Sequence, residues 1–131
     1  MKKFHVFLIV IFSVCLLLTV SAQEKKEKKK EMKETTITGE VIDVKCYLMG
    51  MMGGKGEDHK QCALDCIKGG LPVGLLEEKS EKVYMIVPKA GMKGANDEMS
   101  KYVAANVKLT GTMIEKGGER LFIYTKVEEA K

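Results

Sequence analysis

Residues 106–127 read NVKLTGTMIEKGGERLFIYTKV, and this stretch decides the fold. From Val107 to Met113 apolar and polar residues alternate, which places Val107, Leu109, Gly111 and Met113 on one face of a half-buried strand. Lys116-Gly117-Gly118-Glu119 supplies the turn, and residues 121–127 return as a second β-rich run, so the pair reads as an antiparallel hairpin. Upstream, residues 82–87 (KVYMIV) form the clearest central strand, ended by Pro88. Residues 36–44 (TITGEVIDV) are rich in β-branched side chains. They read as a first strand with a bulge or bend at Gly39 and with Ile37, Val41 and Val44 turned inward.

Between these strands the pattern changes. Residues 49–56 hold four glycines and form a loop, whereas residues 59–68 contain neither Gly nor Pro and follow the acidic capping candidates Glu57 and Asp58. That run is the one expected helix, stopped by Gly69-Gly70, with Ala63 and Ile67 facing the core. Residues 71–76 begin at an irregular edge because Pro72 cannot donate to a ladder, and a short helical turn is expected around residues 96–102. About five strands and one helix predict a mainly β protein, a small OB-like five-stranded Greek-key barrel with the helix plugging one end. The alternative is an α+β open antiparallel sheet with the helix laid across it.

The remainder of the chain predicts where this domain works. Lys2 and Lys3 precede an uncharged run over residues 6–20, and Val20-Ser21-Ala22 ends in the small residues that signal peptidase accepts. Residues 1–22 therefore read as a cleavable signal peptide that carries Cys15 away with it. The run is short for a membrane-spanning helix, which needs roughly 20 apolar residues. An uncleaved anchor is the competing reading, and no stable membrane insertion is expected after cleavage. Residues 23–34 (QEKKEKKKEMKE) have six Lys, four Glu and a single apolar side chain, the composition of a charged flexible spacer. The OB-like domain covers residues 35–127, and residues 128–131 form a polar tail. The location expected is extracytoplasmic, periplasmic or secreted.

Net charge is +4 for the whole chain, but residues 35–131 carry 14 basic and 14 acidic side chains. A neutral domain lacks the basic footprint of a nucleic-acid binder; an envelope protein is the partner expected if the domain is an interaction module. A domain of this size has a modest core and benefits from a staple.

Such a staple is visible in the pattern Cys46-x12-His59-x2-Cys62-x3-Cys66. On a helix His59, Cys62 and Cys66 share one side, and the glycine-rich loop is long enough to bring Cys46 over it. Three thiolates and an imidazole form a common tetrahedral zinc set. Copper is the alternative, because thiolates, and the thioethers of Met49, Met51 and Met52 nearby, favour soft ions. Lys45, Lys60 and Lys68 are candidates to offset the negative charge, and Asp65 to hydrogen-bond a ligand. Two other readings stay open. Outside the cytosol Cys46 pairs naturally with Cys62 or Cys66 in a disulfide, leaving one thiol over. A thiol or redox enzyme would use His59 and a neighbouring cysteine, with Asp58 or Asp65 orienting the ring.

The segments TGEVIDVKCYLMG (38–50), EDHKQCALDCIKGGLPVGLL (57–76), KVYMIV (82–87) and VKLTGTMIEKGGERLFIY (107–124) together resemble small exported bacterial OB-like domains of uncharacterised function. The resemblance spans residues 36–127 and centres on Cys46, His59, Cys62 and Cys66. It implies an extracytoplasmic domain with a metal or cofactor role at those positions. The function expected is that of an exported accessory domain that binds one zinc or soft transition-metal ion and turns nothing over. The runner-up is an envelope interaction domain in which the cluster only holds the fold.

Overall fold

A computed structural model describes residues 32–130. Residues 1–22, read above as a signal peptide, and nearly all of residues 23–34, read as a charged spacer, lie outside the described residues. Five strands, β1 (Glu34–Asp43), β2 (Val73–Glu77), β3 (Val83–Pro88), β4 (Asn106–Lys116) and β5 (Glu119–Glu129), close into a barrel in the order β1-β2-β3-β5-β4. The hairpin read from residues 106–127 is present, with Lys116 opposite Glu119 across Gly117-Gly118. Both of its strands are longer than the alternation indicated. Closure comes from β1, which pairs antiparallel with β2 on one side and with β4 on the other. The ladder between β3 and β5 is parallel. A closed barrel leaves no open sheet for a helix to lie across, so the α+β alternative is excluded.

Inside the barrel Val41, Leu75, Ile86, Val107, Leu109 and Phe122 are buried together. Val107, Leu109 and Gly111 point inward as the alternation requires, but Met113 is 37% exposed. Met113 keeps the inward parity, opposite Phe122, but lies toward the hairpin turn beyond the packed core. The register irregularity falls on β5, where Thr125 is the extra residue between Lys126 and Tyr124. Gly39 and Gly111 are the two tight points of the wall. A Cβ at Gly39 would run into the Leu76 carbonyl oxygen, and one at Gly111 into that of Ile123. Each glycine therefore lets two strands approach where the barrel curves.

One end is plugged by two helical pieces rather than one. Helix α2 (Lys60–Lys68) presents Ala63 and Ile67, and α3 (Asn96–Met99) with the 3₁₀ turn Ser100–Tyr102 presents Met99 and leads into Val103. The two are locked by Asn96, whose Nδ2 donates to the carbonyls of Ile67 (2.8 Å) and Leu71 (2.7 Å). The Leu71 carbonyl lies just past the end of α2, and that of Ile67, in its last turn, also accepts from Gly70 N–H at 3.0 Å. Tyr124 Oη donates to Glu98 Oε2 at 2.7 Å and ties α3 to β5.

Three local readings are corrected. Residues 44–49 are not the end of a strand and a loop but a helix, α1 (Val44–Met49), so Val44 is buried on a helix and Cys46 is helical. Asp43 causes this: its Oδ1 accepts from the Cys46 backbone N–H at 3.1 Å, a side-chain cap that overrides the β preference of Val44. Residues 73–76 are a fully buried strand paired on both sides, not an irregular edge. Pro72 stands just outside that strand and uses only its carbonyl, which accepts from Val44 N–H at 3.1 Å. Finally, neither Glu57 nor Asp58 caps α2 through its side chain. A 3₁₀ turn, Glu57–His59, leads into α2, and His59 occupies the cap position. Among the described residues no helix is long and apolar enough to cross a membrane.

Gly39 sets a test of the barrel wall. Gly39→Ala drives a methyl into backbone that two ladders hold in place, and it should cost roughly 1–3 kcal/mol. Urea unfolding should show a lower midpoint at an unchanged slope. An unchanged midpoint would mean that β1 and β2 can separate at this point without loss.

Candidate metal centre

The candidate centre is built almost entirely from the connection between β1 and β2. Asp43 ends β1, Cys46 lies in the first turn of α1, His59 closes the 3₁₀ turn, and Cys62 and Cys66 lie on α2. Glycines hold the intervening loop in place. Gly50 takes a left-handed conformation (φ 66°) to stop α1, its N–H returning to the Tyr47 carbonyl at 3.1 Å. Gly54 lies against α1 so closely that a Cβ would meet Tyr47 Cα. Gly56 N–H then donates to Glu40 Oε1 on β1 at 2.5 Å, and the Gly56 carbonyl accepts from His59 N–H at 3.1 Å. The loop is thus fastened to α1 and to the barrel wall, and His59 is delivered next to Cys46.

The ligand atoms of Cys46, His59 and Cys62 all lie within 4.8 Å of one another. The Sγ of Cys66 stands 3.9 Å from the Sγ of Cys46. Two sulfurs on one tetrahedral zinc, each about 2.3 Å from the ion, stand about 3.8 Å apart. The Cys/His cluster expected from the sequence therefore lies close enough to hold a metal ion. A fifth donor was not foreseen. Asp43, Cys46 and Cys66 form a second group within the same 4.8 Å limit. A signal for Asp43 did exist in the sequence: it has the inward parity of Ile37, Gly39 and Val41, so an acid stands where the strand pattern asks for an apolar residue.

Burial makes these groups unusual. His59 is 1% exposed and Asp43 is fully buried, yet both imidazole nitrogens and Asp43 Oδ2 have no hydrogen-bond partner among the described residues. Burying such polar atoms unpaired costs roughly 1–3 kcal/mol each. Burial pushes the Cys46 thiol up. The Asp43 carboxylate, then burial and the Cys46 thiol, push Cys66 up from 9.0 to about 12. Both thiols are accordingly protonated near neutral pH in the metal-free chain, the reverse of the depressed values that activate a nucleophilic cysteine.

Other nominated residues fall outside the cluster. Asp58 is exposed, and Asp65 is exposed and accepts from Gln61 Nε2 at 2.9 Å. Lys45 and Lys68 are exposed, and Lys60 is engaged by Glu57 at 3.0 Å. Compensation of the cluster's charge by these lysines is therefore weak. Met49, Met51 and Met52 are exposed at 64%, 42% and 67%, beside an equally open Leu48. No disulfide joins Cys46, Cys62 and Cys66, which are free thiols.

The unpaired imidazole allows stability and binding to be separated. His59→Leu removes two orphaned polar atoms while keeping the volume, so the metal-free domain should gain about 1–2 kcal/mol. The same variant should lose any rise in melting temperature on adding zinc. A loss of metal-free stability would show that the imidazole is satisfied where it lies. No family model, curated protein or solved structure matches the chain, so the reading of this centre rests on its own geometry.

Proposed function

We propose that this chain is an exported accessory domain that holds a zinc or soft transition-metal ion through Cys46, His59, Cys62 and Cys66, and that it performs no turnover. What carries the reading is His59, an imidazole 1% exposed with neither nitrogen paired, set among thiols. A metal ion takes one nitrogen directly and replaces the missing hydrogen bond with a stronger interaction. Zinc is the first choice for three thiolates and one imidazole, and copper the second. The domain works outside the cytosol, in the periplasm or beyond, against an envelope protein. The exposed side chains of Leu48, Met49, Met51 and Met52 supply an apolar patch next to the centre.

One observation favours a second reading. The 3.9 Å between Cys46 and Cys66 needs only modest movement to reach the roughly 2.05 Å of a disulfide. In that case the bond braces α1 against α2, and the domain is an envelope interaction module.

Native mass spectrometry with elemental analysis, on protein purified from an exported preparation, separates these readings. The expected result is a firmly held ion on a chain with the fully reduced mass. Cys62→Ser should release that ion. Affinity should fall as pH is lowered, because the raised Cys46 and Cys66 thiols are protonated in the free chain and must give up their protons to bind. A metal-free chain two hydrogens lighter than the reduced mass would overturn the metal reading and leave the braced module.

A further inference from the structure

The donors form two groups that share a vertex. Cys46, His59 and Cys62 form one, and Asp43, Cys46 and Cys66 form the other. The structure assigns to this chain a two-metal centre in which the Cys46 thiolate bridges one ion held with His59 and Cys62 and a second held with Asp43 and Cys66. The inference rests on the metal-binding reading and extends it from one ion to two.

Three observations carry the second ion. The first is geometric, since Cys66 approaches Cys46 at a separation suited to one tetrahedral ion and shares its group with Asp43 rather than with His59. The second is the orphan oxygen. Asp43 Oδ1 is used by the α1 cap, but Oδ2 is buried, unpaired among the described residues, and grouped with the two sulfurs. Strand β1 thus buries a carboxylate with one oxygen free for a cation.

The third observation is charge. With all donors ionised, three thiolates and one carboxylate meet in a cluster where Asp43 and Cys46 are buried and Cys62 and Cys66 half-buried. One divalent ion leaves this set with two negative charges in excess, whereas two divalent ions make it neutral. Uncompensated charge in a protein interior is strongly disfavoured. The lysines nearby do not supply the balance, as Lys45 and Lys68 face solvent and Lys60 is paired with Glu57. A bridging thiolate also fits the position of Cys46, the most enclosed of the three sulfurs and the only one common to both groups.

When a single ion is present, Cys66 can complete its shell as the fourth ligand. When two are present, Cys66 turns to the second ion with Asp43, and an outside donor fills the remaining position on each. The centre would then take two Zn²⁺, or two Cd²⁺ as a spectroscopic substitute, in successive steps.

The test is stoichiometry on the reduced, metal-stripped protein, titrated with Zn²⁺ and read by native mass spectrometry, with cadmium NMR on the Cd²⁺ form. The wild-type chain should bind two ions and give two cadmium resonances, both coupled to the Cys46 β protons. Asp43→Asn keeps an oxygen to cap α1 but loses the charge, and it should stop at one ion. Circular dichroism checks that the variant is folded. Should it fail to fold, Cys66→Ala takes its place with the same expectation of one ion. Saturation of the wild type at one ion overturns the second site and leaves the one-ion reading standing. No bound ion at all overturns both. Two ions retained in the folded variant, or two resonances without shared coupling to Cys46, overturn the bridged assignment.

Discussion

A single hydrogen bond, from the Cys46 backbone N–H to Asp43 Oδ1, converts a strand into a helix and so creates the place where the Cys/His cluster assembles. Without that cap, Val44 favours continuing the strand, and Cys46 would leave the barrel along the β1 direction. With it, the chain turns at once into α1, and the thiol is folded under the loop toward His59 and Cys62. Asp43 is buried to do this, so the carboxylate that shapes the backbone also brings negative charge to the cluster. Structure and electrostatics are coupled through one side chain.

The β framework was legible because its signals are local and redundant. Alternation around Leu109, a diglycine turn and the apolar run ended by Pro88 all agree, and the closed barrel contains the strands they specify. What could not be read depends on partners far along the chain. The run after Pro72 looks like an edge because proline withholds a donor, yet β2 is flanked on both sides once β1 and β3 arrive. Met113 keeps its inward parity opposite Phe122, but it lies toward the Gly117-Gly118 turn, past the residues that cover the core. The helical span 44–49 was hidden because Asp43 was read as a strand residue, whereas its side chain acts as a cap.

At the centre, the spacing of His59, Cys62 and Cys66 correctly placed three donors along one helical stretch, and the glycine loop does return Cys46 to them. Spacing is silent on how deep a side chain lies, however. The burial of His59 comes from Glu40 and Gly54 fastening the loop, and neither contact has a motif. The acids that looked useful by position, Asp58 and Asp65, are solvated. The one that matters sits on a strand, where a search along the helix does not find it.

The ladder between β1 and β4 joins residues far apart in sequence, as in the pair Thr36 and Thr110, separated by 74 positions. Bringing such ends together carries a larger loop-closure entropy than assembling the donors between Asp43 and Cys66. Barrel closure is consequently the entropically costlier step, and the donor segment is the more local unit. An ion held by that segment, as proposed, would fix β1, α1 and α2 relative to one another independently of the long-range ladder. With the proposed ion bound, the cluster would also brace the long connection between β1 and β2.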